Sequence, residues 1–175
     1  MRTLHLLRHA KSDWDDPDLP DLDRQLNERG RRDALALGEY LLPSAVRPRL
    51  VLCSPAVRTR QTLDLVSAGL GLQARVVVAG GLYAASVGTL WQQALALPDF
   101  VSDSAADEAL FVGHNPGLHE LAAALAGATT GKTVARLQKK LPTCALATLR
   151  WDTDSWAKID LTTAELTGYT TPRDR

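Results

Sequence analysis

Two histidines and two arginines of this chain stand where apolar runs give way to loops. Leu7-Arg8-His9-Ala10 closes the first run, Leu50 to Cys53 leads into Ser54-Pro55-Ala56-Val57-Arg58-Thr59, and Ala109 to Val112 ends in Gly113-His114-Asn115-Pro116. Together these residue types suit a phosphate dianion. A neutral imidazole can attack phosphorus in line and hold the phosphoryl group until water removes it, which divides one hard displacement into two easier ones. His9 is the expected nucleophile. Arg8 and Arg58 offer rigid, permanently charged forks that match phosphoryl oxygens and stabilise charge in the transition state. His114 supplies a further donor, and according to its protonation state it orients the phosphoryl group or helps activate water. Lys11 and Ser12 follow His9 directly; each has two readings, a phosphate contact or, respectively, a solvent-facing charge and a turn cap.

These segments carry a resemblance. Arg8-His9-Ala10 resembles the Arg-His-Gly nucleophile signature of the histidine phosphatase superfamily, with alanine in the third place. Lys11-Ser12-Asp13-Trp14, followed by Asp23-Arg24-Gln25-Leu26-Asn27-Glu28-Arg29-Gly30, resembles the N-terminal pattern of its small SixA-like phosphohistidine phosphatase branch. Ser54-Pro55 with Arg58-Thr59 and Gln61-Thr62 is similar to the second phosphate-binding segment, and Gly113-His114-Asn115-Pro116 to the second histidine motif. The resemblance implies a phosphoglycerate mutase-like three-layer fold with some antiparallel pairing. It also implies a hydrolase that works without metal or other cofactor through a phosphohistidine intermediate on the enzyme.

One departure bears on the substrate. The larger phosphoglycerate mutase-like relatives carry a glutamate in a Leu-x-Glu arrangement after the third core strand, whereas Leu82-Tyr83-Ala84 has alanine there. An alkoxide leaving group benefits from a positioned acid, while the nitrogen of a phosphorylated imidazole is easier to expel. The leading expectation is therefore hydrolysis of phosphohistidine on a protein, with inorganic phosphate as product. A small-molecule phosphomonoesterase and a non-catalytic phosphate-dependent regulatory module are the alternatives. Tyr83, Asp99, Asp103 and Glu108 are the side chains that a loop would have to bring in as an acid.

Composition fits one α/β domain over residues 1–175. The apolar content is 45%, and 20 basic residues balance 20 acidic ones, so no global field recommends a nucleic acid or an anionic membrane as partner. Recognition of a phosphorylated protein or metabolite must then be local. Cys53 and Cys144 sit in apolar runs without metal-ligand spacing and read as free buried thiols. Asp15, Asp16, Asp18, Asp21 and Asp23 read as an acidic run, not a metal cage. No stretch approaches a membrane span or a secretory leader, which makes the cytoplasm the expected compartment.

The elements that must position the site alternate. Strands are expected at Thr3–Leu7, Leu50–Cys53, Arg75–Val78, Ala109–Val112 and Ala145–Leu149, with an edge strand at Trp156–Leu161. A helix beginning near Asn27 or Glu28 shows Ala34, Leu37 and Leu41 on one face before Pro43. Another follows Pro55 with Leu63, Val66 and Leu70 before Gly71; further helices are expected near Val87–Leu97 and around Leu118, Leu121 and Leu125. Asp99–Asp107 reads as a polar loop, and the last residues as frayed. Such alternation predicts a three-layer α/β/α sandwich with a mostly parallel sheet, whose strand ends gather His9, Arg58 and His114. His5 and His119 are expected in structural roles, Arg60 on the surface, Asn115 in the turn and Trp14 at a pocket rim or packed on the long loop. Lys132, Arg136 and Lys140 recur at four-residue spacing beside Lys139, as a solvated helical face or a basic rim for a phosphoprotein.

Overall fold

The computed structural model describes residues 1–100 and 106–175, with the backbone alone at residues 99 and 100. Its centre is a six-stranded sheet: β1 (Arg2–Arg8), β2 (Leu50–Cys53), β3 (Arg75–Val78), β4 (Glu108–Gly113), β5 (Leu146–Trp151) and β6 (Glu165–Thr170). Their spatial order is β3-β2-β4-β1-β5-β6. The β3-β2, β2-β4 and β4-β1 pairs are parallel, and β5 pairs antiparallel with both β1 and β6. The sheet is thus mostly parallel with one reversed strand.

Strand periodicity divides the core between two faces. Leu4, Leu6, Leu50, Leu52, Ala109 and Phe111 project to one face, while Leu7, Val51, Cys53, Leu110 and Val112 project to the other. Helices α1 (Glu28–Leu41) and α2 (Val57–Leu70) cover the second face, through Leu37 and Leu41 and through Leu63, Val66 and Leu70. The first face is covered by α3 (Val87–Leu95), α5 (Gly117–Leu125) and α6 (Lys132–Lys139); α4 (Leu97–Phe100) is a single turn beyond α3. Gly38 and Gly69 let α1 and α2 approach closely, since a Cβ on Gly38 would stand 2.4 Å from the Val66 carbonyl oxygen.

Two expectations need correction, and one falls on undescribed residues. Trp156–Lys158 is a short 3-10 turn and the edge strand lies later, at β6. The spacing that suggested a strand instead buries Trp156 and Ile159, three apart in a turn, in the core. The end of the chain is tied down: the Thr171 hydroxyl and backbone bond the Asp174 carboxylate in a capping box, and the Arg175 guanidinium reaches the carbonyls of Asp33 and Cys144. Asp103, like the 101–105 part of the expected polar loop, lies outside the described residues, as does the side chain of Asp99.

Candidate active site

In parallel strands that start together, the carboxyl ends also finish together. Arg8 pairs with Gly113 and Cys53 with Val112, so the residues that follow β1, β2 and β4 emerge side by side. The His9 amide donates to the Gly113 carbonyl at 3.1 Å and the Ser54 amide to the Val112 carbonyl at 3.0 Å, which extends the ladder by one residue into the loops. His9, Ser54 and His114 are therefore neighbours although 105 positions separate the two histidines. Their rings lie 5.2 Å apart, centroid to centroid, at 52°. Helix α2 begins three residues after Ser54 and puts Arg58 in its first turn; α5 begins three residues after His114. Two helix amino ends, with their unpaired N–H groups, thus face the same small region and favour an anion there.

Each ring has its proton placed by its partner. His9 Nδ1 lies 2.7 Å from the Ala10 carbonyl, which can only accept, so Nδ1 carries hydrogen and the Nε2 lone pair is free. Burial, with help from the charges of His114, Arg58 and Arg8, brings the His9 pKa down to about 3 despite the opposing Ala10 bond. The His114 ring shows the opposite tautomer. An Arg58 Nη donates to its Nδ1 at 3.2 Å, so Nε2 carries the hydrogen and donates to Ser54 Oγ at 2.7 Å. Burial and then the Arg58 charge hold His114 at about 4. Both imidazoles are neutral at physiological pH.

The two arginines are anchored differently. Arg8 is partly buried and donates to the Leu141 carbonyl at 3.0 Å, the same oxygen that the Asn115 side-chain amide reaches at 2.9 Å. Arg58 is 7% exposed and donates to the Asp21 carboxylate at 2.8 Å as well as to His114. A hydroxyl relay fixes α2 against the loop after β1: the Ala10 amide donates to Thr62 Oγ1 at 2.9 Å, which donates to the Arg58 carbonyl at 2.6 Å. On its other side that loop meets α1. Asn27 caps the helix by accepting from the Gly30 amide, its own amide donates to the Lys11 carbonyl, and a Cβ on Gly30 would lie 2.1 Å from that same oxygen.

Arg8, His9, Arg58 and His114 thus come together as the motifs suggest. Ser12 is buried beside them in an isolated bridge to Leu26, and Lys11 is exposed next to Arg8. Asp21, read from sequence as one charge in an acidic run, is a neighbour of the site that sequence reasoning missed. Its Oδ2 accepts from both Arg58 and the Tyr83 hydroxyl, the latter at 2.7 Å. Burial raises the Asp21 pKa, but Tyr83 and Arg58 together outweigh it and hold the group below the ordinary carboxylate value. The bond to Asp21 pushes Tyr83 up. The only cue in sequence was Pro20 ahead of the short turn Asp21–Asp23, which says nothing of where the turn docks.

The remaining candidates lie elsewhere. Glu108 opens β4 at the end of the sheet away from Gly113, where it meets the buried His5 at 3.2 Å, so it is no acid for this site. His119 contacts the Leu137 carbonyl, Arg60 is exposed, and Trp14 is 69% exposed beneath the Arg24 guanidinium. Cys53 and Cys144 are free and buried. Among the described residues no group of three or more His, Cys, Asp or Glu side chains is placed to hold a metal ion, and no helix is long and apolar enough to cross a membrane.

Comparison with known proteins bears on the fold and the family. The family model of the histidine phosphatase superfamily, branch 1, matches residues 4–93. An uncharacterised protein of Mycobacterium leprae is 35% identical over 171 residues, which cover 95% of this chain and 100% of that protein. An uncharacterised chloroplastic protein of Arabidopsis thaliana is 36% identical over 161 residues, 89% of this chain and 69% of that one. Among solved structures, a candidate phosphohistidine phosphatase SixA from Nakamurella multipartitia superposes with a TM-score of 0.78 at 30% identity, over 98% of this chain and 96% of that one. The protein histidine phosphatase SixA complexed with tungstate shares the fold at a TM-score of 0.76 and 22% identity, over 98% of each chain.

Proposed function

Because this chain belongs to the histidine phosphatase superfamily, whose membership implies phosphatase hydrolase chemistry, we propose that it hydrolyses phosphohistidine on a protein, through a phosphohistidine intermediate on His9 and without a metal. The observation that carries this reading is the His9 ring itself, buried, neutral and bonded through Nδ1–H to the Ala10 carbonyl, with Nε2 bare. That nitrogen attacks phosphorus, and the bond from phosphorus to the substrate imidazole breaks, the departing nitrogen taking a proton from solvent. His9 keeps its Nδ1 proton throughout, so the phosphorylated ring is cationic, stabilised by Ala10. It leaves as neutral imidazole when water attacks to give inorganic phosphate. Arg8 and Arg58 hold the equatorial oxygens. When the dianion arrives, His114 gains a reason to protonate and to turn its Nδ1 from acceptor to donor.

Preference for a phosphoramidate over a phosphate ester is supported by the mouth of the site. Asp21 is held ionised and the Tyr83 hydroxyl is directed at it, so neither presents a ready proton to an alkoxide. Ser12 and Lys11 are secondary phosphate contacts in this reading, and residues 1–175 act as one domain.

The test compares phosphate release from a phosphohistidine protein and from a panel of phosphate monoesters, with wild type and His9→Ala side by side and no added metal. A wild-type preference for phosphohistidine, with no labelled intermediate in His9→Ala, is the expected result. Preference for a metabolite would favour a phosphomonoesterase. Phosphate binding without any phosphoenzyme in wild type would favour a regulatory module.

A further inference from the structure

Although the chain as a whole is neutral, charge is unevenly spread around the site. An open groove runs from Arg8 past the end of α6 to the turn at residues 171–173. Its inner lobe, about 460 Å³, is lined by Arg8 and Lys11 from the nucleophile loop and by Lys139, Lys140 and His119. Its outer lobe, about 240 Å³, shares Arg29, Lys139 and Lys140 and adds Arg136 and Arg173. Among the described residues no aspartate or glutamate lines either lobe. The cations come from α1, α6, the segment after α6 and the turn after β6, so one amphipathic helix does not account for them. Arg136 is neutralised by Asp174, whose two carboxylate oxygens accept from one Nη, and Arg29 pairs with Asp33 at 3.5 Å, but Lys11, Lys139, Lys140 and Arg173 form no ion pair among the described residues. Tyr169, Pro142 and Pro172 give the outer lobe apolar walls.

We infer that this groove docks a carboxylate-rich segment of a partner protein and so delivers an attached phosphoryl group to Arg8 and His9. The choice of a protein over a second small anion rests on how the cations are held. The region around His9 and His114 is buried and built of fixed donors at helix amino ends, as a phosphate site requires. The groove's lysines and Arg173 are exposed and spread along its length, which suits long-range attraction of an extended acidic surface and fixes its register, not the geometry of one dianion. A nucleic acid is less well served: among the described residues Tyr169 is the only Phe, Tyr or Trp in the groove, and its hydroxyl is bonded to the Lys140 carbonyl.

The proposal rests on the phosphohistidine reading only for the identity of the delivered group, and the experiment separates the two. A fluorescein-labelled, glutamate-rich peptide with one central histidine is titrated, unphosphorylated, against wild type and against a Lys139→Glu/Lys140→Glu/Arg173→Glu variant, by anisotropy at low and at near-physiological salt. Binding to wild type should weaken as salt rises and fall at least about tenfold in the variant. A Lys139→Gln/Lys140→Gln/Arg173→Gln variant should lie between, which excludes misfolding by charge reversal. With the histidine phosphorylated, kcat/KM should fall by a similar factor in the variant, mostly through KM, while hydrolysis of free phosphoimidazole stays within about twofold, because the chemical site is untouched. Equal binding by wild type and variant, or a single-stranded oligonucleotide of matched charge binding more tightly than the peptide, overturns the groove assignment. Peptide binding that follows the expected pattern without hydrolysis of either phosphoramidate leaves the groove standing and removes the phosphohistidine reading.

Discussion

Arg58→Ala tests how much of the chemistry passes through one guanidinium. Arg58 is 7% exposed; its Nη2 donates to both the Asp21 carboxylate and His114 Nδ1, while its Nη1 donates to the Asp21 carbonyl. Truncation removes one charge-assisted donor from the transition state, a loss of about 3 kcal/mol that lowers kcat/KM by roughly two orders of magnitude. Folding stability should fall by only about 1 kcal/mol from the lost pair, because Asp21 is half exposed and remains solvated when left alone. The second readout is His114. Burial is the larger reason its pKa sits at about 4, and the Arg58 charge is the next. Removing a neighbouring cation makes the imidazolium easier to form, so the ring should titrate higher than in wild type while remaining below an exposed histidine. Stopped-flow phosphate release on a phosphohistidine peptide and imidazole NMR across pH measure both quantities. Arg58→Lys, whose single ammonium lacks the second nitrogen of the planar fork, should recover no more than about tenfold of the lost rate. A kcat/KM within threefold of wild type, or an unmoved His114 titration, would refute the role given to Arg58.

Three other outcomes follow from the same geometry. His9 and His114 are held neutral in the fold but titrate normally once unfolded, so the unfolded chain binds more protons from about pH 6.5 down to about pH 4 through His114 and to about pH 3 through His9; stability should decline through that window as acid is added, by up to about 3 kcal/mol for His114 alone, and His114→Gln should flatten the slope in urea titrations. Gly30→Ala forces a methyl against the Lys11 carbonyl and should cost about 2 kcal/mol or more in chemical denaturation, with a parallel loss of activity because that loop carries His9. Asp21→Asn frees Arg58 from a competing carboxylate and should tighten inhibition by inorganic phosphate about threefold, a gain of under 1 kcal/mol that weaker inhibition would contradict.

What the sequence made legible depended on locality. The histidine and arginine motifs each sit within a few residues of a strand end, so alternating elements and one topological rule about carboxyl ends were enough to bring them together. Their tautomers were not readable, because they depend on the Ala10 carbonyl and on an arginine 56 positions from His114. Asp21 and Tyr83 meet across 62 positions of chain, and nothing local distinguishes Asp21 from Asp15 or Asp16. The basic groove was half visible as Arg136, Lys139 and Lys140, but Arg29 and Arg173 join it only through packing. At the carboxyl end Ala157-Lys158-Ile159-Asp160-Leu161 alternates as a strand would, yet Trp156 and Ile159, three apart, are buried together by a turn, and tertiary packing chose it.

The Thr62 hydroxyl, which bonds the Ala10 amide and the Arg58 carbonyl at once, divides the molecule into what can be re-engineered and what cannot. Through it the proposed nucleophile His9 and the Arg58 guanidinium share one frame, so any backbone change that shifts one drags the other. Diversification toward new phosphorylated compounds, in a laboratory library or over evolutionary time, is therefore confined to grafts that hang from that frame. The segment 13–23 that carries Asp21 and the segment 139–143 that closes the basic channel are the two places to randomise, and a library directed at residues 54–62 should return mostly inactive clones.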